Sequence, residues 1–359
     1  MPSPPTPAEI AQELSGRVIG QAGAVREMSI ALAKHLAGLP TGNILMIGSS
    51  GTGKTTLLRA VEKYLRERPE LGGDIALVRL HANVLAEEAR AGRPGSAVLG
   101  RLADAVRDER LRRGAPLVRS EILRVIARGI VFVDEVDKIR SQVGDRPNVD
   151  GIRAQEALLT LIENEAIPFE VPDWLGGGRE VIDSSGLLFV CAGAFEGLYD
   201  AVYDRVTIGK DRGSLQPVNV LEAGKVRQAV DFELRDWLRN EDLFEYGMSP
   251  QFLSRFDAVV LLGDLGVEEL LRIFHETPDS GLAQSRAYFQ AHGIRFALSP
   301  AAARAIASEA ARQPRLGARA LKEAFRRVMR DHEFEPVRLA NQGVLLIDED
   351  QVKKALSDP

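Results

Sequence analysis

The sequence predicts an α/β fold: a five-stranded, mainly parallel sheet between helices, followed by a smaller, mostly helical C-terminal domain. Three observations lead there. Five short runs, residues 43–47, 75–80, 130–133, 187–190 and 258–262, are nearly continuously apolar, as strands covered on both faces are. Amphipathic stretches alternate with them; Leu57, Leu58, Val61 and Leu65, for example, fall on one helical stripe after the first run. Beyond Leu262 the period changes to helical throughout.

The first run ends in Gly48-Ser49-Ser50-Gly51-Thr52-Gly53-Lys54-Thr55 and a helical pattern follows. This fits the phosphate-binding loop G-x-x-x-x-G-K-[ST] at every position. Glycines let backbone N–H groups wrap phosphates, and a helix N-terminus adds partial positive charge. Gly48, Ser49, Ser50, Gly51, Thr52, Gly53, Lys54, Thr55 and the next residue, Thr56, are the expected nucleotide-binding residues. Lys54 would reach the β- and γ-phosphates, and the Thr55 hydroxyl would ligate Mg²⁺.

The third run, Ile130-Val131-Phe132-Val133, ends in Asp134-Glu135. Groups just beyond the carboxyl end of a parallel strand face the ligand crevice. Asp134 would hold the metal, and Glu135 would orient or deprotonate water. A kinase needs a hydroxyl-bearing acceptor site instead, so the adjacent Asp-Glu pair favours hydrolysis of ATP.

In the C-terminal part, residues 267–274, 281–291, 300–312 and 318–330 read as helices. Ser299 is the expected N-cap of the third, with Pro300 at its first position. Leu321, Ala324, Phe325, Val328 and Met329 form the apolar stripe of the fourth, and residues 343–347 add one strand. The reading divides the chain into a flexible tail (1–12), a large α/β domain (13–262) and a small helical domain (263–359). Irregular stretches are expected near 140–150, 168–180 and 208–221.

Composition narrows the function classes. The 359 residues are 45% hydrophobic and 27% charged, ordinary for a soluble chain of two or three domains, or of one large domain with an appendage. A net charge of −5 argues against a nucleic-acid-coating protein, and the basic run from Arg107 to Arg113 reads as a solvated helix face. A single cysteine, Cys191, excludes a disulfide framework or a cysteine zinc cluster within one chain. His35, His81 and His275 have no ligand spacing. No apolar run spans a bilayer and the Pro- and Ser-rich start lacks signal-peptide features, so the expected compartment is the cytoplasm.

Six boxes, in order, resemble the ClpX branch of the AAA+ ATPases, the unfoldase subunits of the Clp protease, with HslU as a further relative. Val18-Ile19-Gly20-Gln21 resembles the adenine-side box, with Val18 and Ile19 as the implied base contacts. The segment from Gly129 to Ile139 resembles the Walker B region, and that from Ala157 to Glu163 the helix after it. The segment from Leu188 to Phe195 resembles the sensor-1 strand, that from Pro250 to Phe256 the arginine-finger segment, and that from Gly317 to Leu321 the sensor-2 motif. The resemblance implies a P-loop AAA+ core, ATP and Mg²⁺ as ligands, and a homo-oligomeric ring, expected to be a hexamer. It implies Arg255 as a catalytic arginine acting in a neighbouring subunit. Arg319, beside Lys54 and Glu135 in the implied catalytic set, would report nucleotide state to its own small domain.

The sequence departs from that family in four places. The boxes begin near Leu14, so a zinc-binding N-terminal domain is not expected. Gly92-Arg93-Pro94-Gly95 stands where the pore loop carries an aromatic-aliphatic pair. Ile208-Gly209-Lys210 stands where a ClpP-docking Ile-Gly-Phe is found, so a ClpP partner is not expected. Cys191-Ala192-Gly193 offers no polar sensor-1 side chain. The leading expectation is an ATP-driven remodeller of a protein client. A ring-forming scaffold timed by slow hydrolysis and a nucleic-acid motor or loader stand as alternatives.

Overall fold

The computed structural model describes residues 4–68, 75–91, 95–144, 146–163, 166–208, 217–222, 225–230, 232–340 and 343–357. Two compact units interleave along the chain. The first is built chiefly from Glu27–Ile47 and Leu65–Leu261; the second gathers Ala8–Arg26, Gly48–Tyr64 and Leu262–Pro359.

The first unit holds a five-stranded parallel sheet. Its strands are β1 (Asn43–Ile47), β2 (Leu77–His81), β3 (Ile130–Asp134), β4 (Leu188–Gly193) and β5 (Phe256–Leu261), in the spatial order β5-β1-β4-β3-β2. The register aligns Ile47 with Gly193, Val133 with Cys191 and His81 with Asp134, so the carboxyl ends share one edge. The central strands β1, β3 and β4 are buried almost end to end, which is why their sequences are continuous apolar runs. The edge strands differ: in β2, Val78 and Leu80 are buried while Arg79 and His81 are exposed. One face of an edge strand is solvated, and the sequence alternates accordingly. The apolar core draws Leu99, Leu102, Ile122, Leu158 and Leu161 from helices Ser96–Arg113, Arg119–Ile126 and Val149–Ile162.

Antiparallel strand pairs lie in or overlap the three stretches expected to be irregular. They are Gln142–Val143 with Arg146–Pro147, Ala166–Glu170 with Arg179–Asp183, and Pro217–Glu222 with Lys225–Val230. Pro168 sits inside one of these strands. A two-stranded hairpin exposes one edge of each strand, where a missing N–H costs little.

The second unit has its own core. Helices Val267–Glu276, Gly281–Ala291, Pro300–Ala311 and Ala318–Phe334 pack with a two-stranded parallel sheet, Arg295–Leu298 beside Val344–Ile347, and a last helix, Glu349–Ser357. Ser299 caps as expected: its Oγ accepts from the Ala302 N–H at 3.1 Å. Leu321, Ala324, Phe325, Val328 and Met329 are all buried, and the Phe325 and Phe274 rings meet at 4.9 Å, edge to face. Within the segment read as a flexible tail through residue 12, the residues from Pro7 onward belong instead to helix α1 (Pro7–Ser15). Ile10 and Leu14, four residues apart on one face, are fully buried, and that burial outweighs the local Pro-rich composition. No helix among the described residues is long and apolar enough to cross a membrane.

Candidate functional site

The phosphate loop belongs to the second unit. The chain leaves β1 at Ile47, turns through the loop and enters helix α3 (Lys54–Glu67) at the motif lysine. Gly51 and Gly53 take φ values of +80° and +110°, which side-chain-bearing residues rarely adopt. The loop is tied from several directions. Thr52, buried, donates its hydroxyl to the Ser49 carbonyl at 2.9 Å. Lys54 folds back so that its ammonium donates to the Gly48 and Ser49 carbonyls, the latter at 2.9 Å. The Gly51 carbonyl accepts from the Ala318 N–H at 3.2 Å. Arg319 is therefore the second residue of a helix whose first amide is bonded to the loop, and its side chain is exposed. Thr55 is half-buried and Thr56 exposed on the first turn of α3.

Val18 is buried and Ile19 half-buried, just before the second helix, α2 (Ala22–Leu36). Between them and α2, Gly20 has φ +78° and lies against Leu265 and Glu269, where a Cβ would come within 2.9 Å of the Glu269 side chain. Gln21 is buried and bonds to the backbone of Thr52 and Gly263.

The acidic pair stands at the carboxyl end of β3 in the first unit. Asp134 Oδ1 accepts from the Glu135 N–H at 2.9 Å, and Oδ2 pairs with the Arg79 guanidinium from the neighbouring strand β2. Glu135 has φ +59°, a left-handed conformation rare for a residue with a side chain. Its carboxylate is half exposed and its Oε2 lies 3.6 Å from His81 Nδ1, the residue paired with Asp134 in the sheet. Such strain is kept where surrounding structure over-determines it.

A third carboxylate, Asp137, went unassigned from sequence. It is 1% exposed, and its Oδ1 accepts from the Ala194 N–H at 3.1 Å, at the end of β4. Gly193 is required there, because a Cβ would sit 2.6 Å from that Oδ1. The neighbouring Tyr246 hydroxyl is pushed up to about 12, first by burial and then by the Asp137 charge. The polar side chain at the end of β4 is thus contributed by the segment that follows β3, not by β4 itself. The run Asp134-Glu135-Val136-Asp137 was the available signal.

Arg255 follows the short helix Pro250–Leu253, whose N-cap Ser249 accepts from the Phe252 N–H at 3.3 Å. Its guanidinium pairs with Glu163 at 2.6 Å, at the end of helix Val149–Ile162, and its carbonyl accepts from Asn43 Nδ2 at 3.1 Å. Gly92, Arg93 and Pro94, and likewise Gly209 and Lys210, lie outside the described residues.

A parallel sheet of this order, a glycine loop opening a helix and a strand ending in Asp-Glu define a P-loop nucleoside triphosphatase. Residues 39–259 match the family model described as AAA domain (Cdc48 subfamily). Among curated proteins, the chain is similar to the ATP-dependent Clp protease ATP-binding subunit ClpX of Treponema denticola, 27% identical over 377 aligned positions covering 99% of this chain and 83% of that protein. The ClpX subunits of Bacteroides thetaiotaomicron and Porphyromonas gingivalis are 28% and 29% identical, each over 92% of this chain and 77% of their own length. The chain belongs to the AAA domain family and is an AAA+ ATPase similar to the ClpX subunits.

Proposed function

We propose that this chain is the ATP-hydrolysing subunit of a homo-oligomeric, hexameric ring that does conformational work on a protein client. The observation that carries the reading is the phosphate loop, with its glycine conformations and its tie to the first amide of the Arg319 helix. The loop N–H groups and Lys54 bind the β- and γ-phosphates, and Val18 and Ile19 contact the base. Thr55 and Asp134 are the Mg²⁺ ligands of this reading: each offers a hard oxygen donor, and a cation that keeps waters and substrate phosphates needs few protein ligands. When bound, the metal neutralises charge developing on the phosphoryl oxygens. Glu135 takes the proton of the attacking water, Arg255 completes a neighbouring subunit's site, and Arg319 reports the nucleotide to its own helical domain. The large α/β domain, 13–262, and the small domain, 263–359, are proposed as the parts whose motion does the work.

The client is engaged without processive threading. An Arg-Pro pair between Gly92 and Gly95 offers a fixed charge and a planar donor fork, suited to a defined acidic segment and not to gripping any sequence. Lys210 in place of an apolar docking residue argues against ClpP as partner. The test is Glu135→Gln in a pull-down and a turnover assay. The variant keeps ATP, loses hydrolysis and retains bound client; near-normal turnover removes the assignment. ATP-dependent assembly of the wild type with negligible client-stimulated turnover favours a scaffold timed by nucleotide.

A further inference from the structure

The phosphate loop is held by its carbonyl oxygens. Those of Gly48 and Ser49 accept from Lys54, that of Gly51 from the Ala318 N–H, and that of Gly53 from the Leu57 N–H at 2.9 Å. The Thr52 carbonyl accepts from Gln21 Nε2 at 3.0 Å. Of these anchors, Gln21 is the one side chain from outside the motif, so a substitution can remove it without altering a motif residue.

Gln21 is 5% exposed, and its amide is used on both sides. Nε2 also donates to the Gly263 carbonyl at 2.8 Å, and Oε1 accepts from the Gly263 N–H at 3.1 Å. The side chain is thus clamped on the backbone of Gly263 and presents its second N–H to Thr52. In a trans peptide, C=O and N–H point in opposite directions. Holding the Thr52 carbonyl toward Gln21 therefore turns the Gly53 N–H the other way. Gly51 and Gly53 flank Thr52 with positive φ, and glycines have little intrinsic preference. The orientation of this peptide plane must come from a partner.

We propose that Gln21 is a positioning residue for phosphate binding: through Thr52 it fixes the Gly53 N–H for the nucleotide phosphates, and through Gly263 it couples that peptide to the segment entering the helical domain. The proposal rests on the nucleotide-binding reading above. It gives the last residue of the adenine-side box a role at the phosphates.

The test compares wild type, Gln21→Leu, Gln21→Glu and Lys54→Ala, measuring binding of fluorescent ADP and ATP, KM and kcat for ATP, and turnover with GTP. Leu keeps the volume and loses all three bonds; Glu keeps the acceptor for Gly263 and loses both donations when ionised. Both weaken nucleotide binding and raise KM roughly 10-fold, the loss of about one net hydrogen bond to a buried carbonyl. kcat stays within about 3-fold, because hydrolytic groups are untouched, and the ATP-to-GTP preference is unchanged. The Gln21→Glu defect shrinks as pH falls toward 5, since a protonated carboxyl donates again. Three results overturn the proposal: wild-type affinity in the Gln21 variants, a fall in kcat at constant KM, or loss of ATP preference over GTP. Should wild type bind no ATP, or Lys54→Ala bind it as well as wild type does, the nucleotide reading itself falls. Gln21→Glu keeps the test decisive if the Leu variant does not fold.

Discussion

Gly51→Ala isolates the contribution of loop shape to nucleotide binding. Gly51 has φ +80°, and placing an L-residue there costs about 1–2 kcal/mol. The new Cβ meets the Leu316 carbonyl and stands 3.2 Å from the Ala318 and Arg319 nitrogens. These are backbone atoms, so relief requires the loop or the helix start to move. Movement breaks the Gly51 carbonyl to Ala318 bond, worth about 1 kcal/mol. The sum, about 2–3 kcal/mol, corresponds to roughly 30- to 150-fold in an equilibrium constant. Titration calorimetry with ADP should show that loss, with Arg319 contributing less to what binding remains. Affinity within 3-fold of wild type would refute the argument that this loop conformation, tied to the Arg319 helix, presents the phosphates with their amides.

Phe325→Ala should cost about 3–5 kcal/mol in urea unfolding, because the ring is buried against Phe274 in the second unit's core; less than 1 kcal/mol would contradict that packing. Glu163→Gln should change stability by under about 1 kcal/mol, since its pair with Arg255 is partly solvated. Arg255→Ala, by contrast, should lower turnover on the order of 10³-fold or more. Mixing Arg255→Ala with Glu135→Gln subunits should restore part of the activity; a mixture as inactive as its parents, with exchange shown separately, removes the trans role. His35 is buried, its Nε2–H donating to the Arg128 carbonyl at 2.9 Å, and burial lowers its pKa below 6.5. With the folded value depressed, the unfolded chain takes the proton first. Stability from neutral His35 is therefore full above pH 6.5 and lost as pH falls through the folded value; a His35→Gln variant should be less acid-sensitive there, and an unchanged pH profile would exclude the effect.

Much of this protein is written in short-range pattern. The phosphate loop is eight consecutive residues whose glycines and lysine act through local geometry, and it was legible at once. The central strands and the C-terminal helices were legible because burial on both faces, or on one helical stripe, leaves a period within a few residues. The Ile10 and Leu14 pair had the same period, but two residues against a Pro-rich start were too weak a signal.

The partners of the functional groups were decided by tertiary structure alone. Gln21 meets Gly263, 242 residues away; Arg255 meets Glu163, 92 away; Asp137 meets Ala194, 57 away; Arg79 meets Asp134 through strand register. Period and turn chemistry act over a few residues, whereas these contacts depend on which helices and strands pack together. The sequence by itself determined the ATPase class and the residues of its motifs. Only the folded chain decided what holds those residues: a hydrogen bond needs its two groups within about 3 Å, and nothing in local sequence encodes a distance between segments hundreds of residues apart.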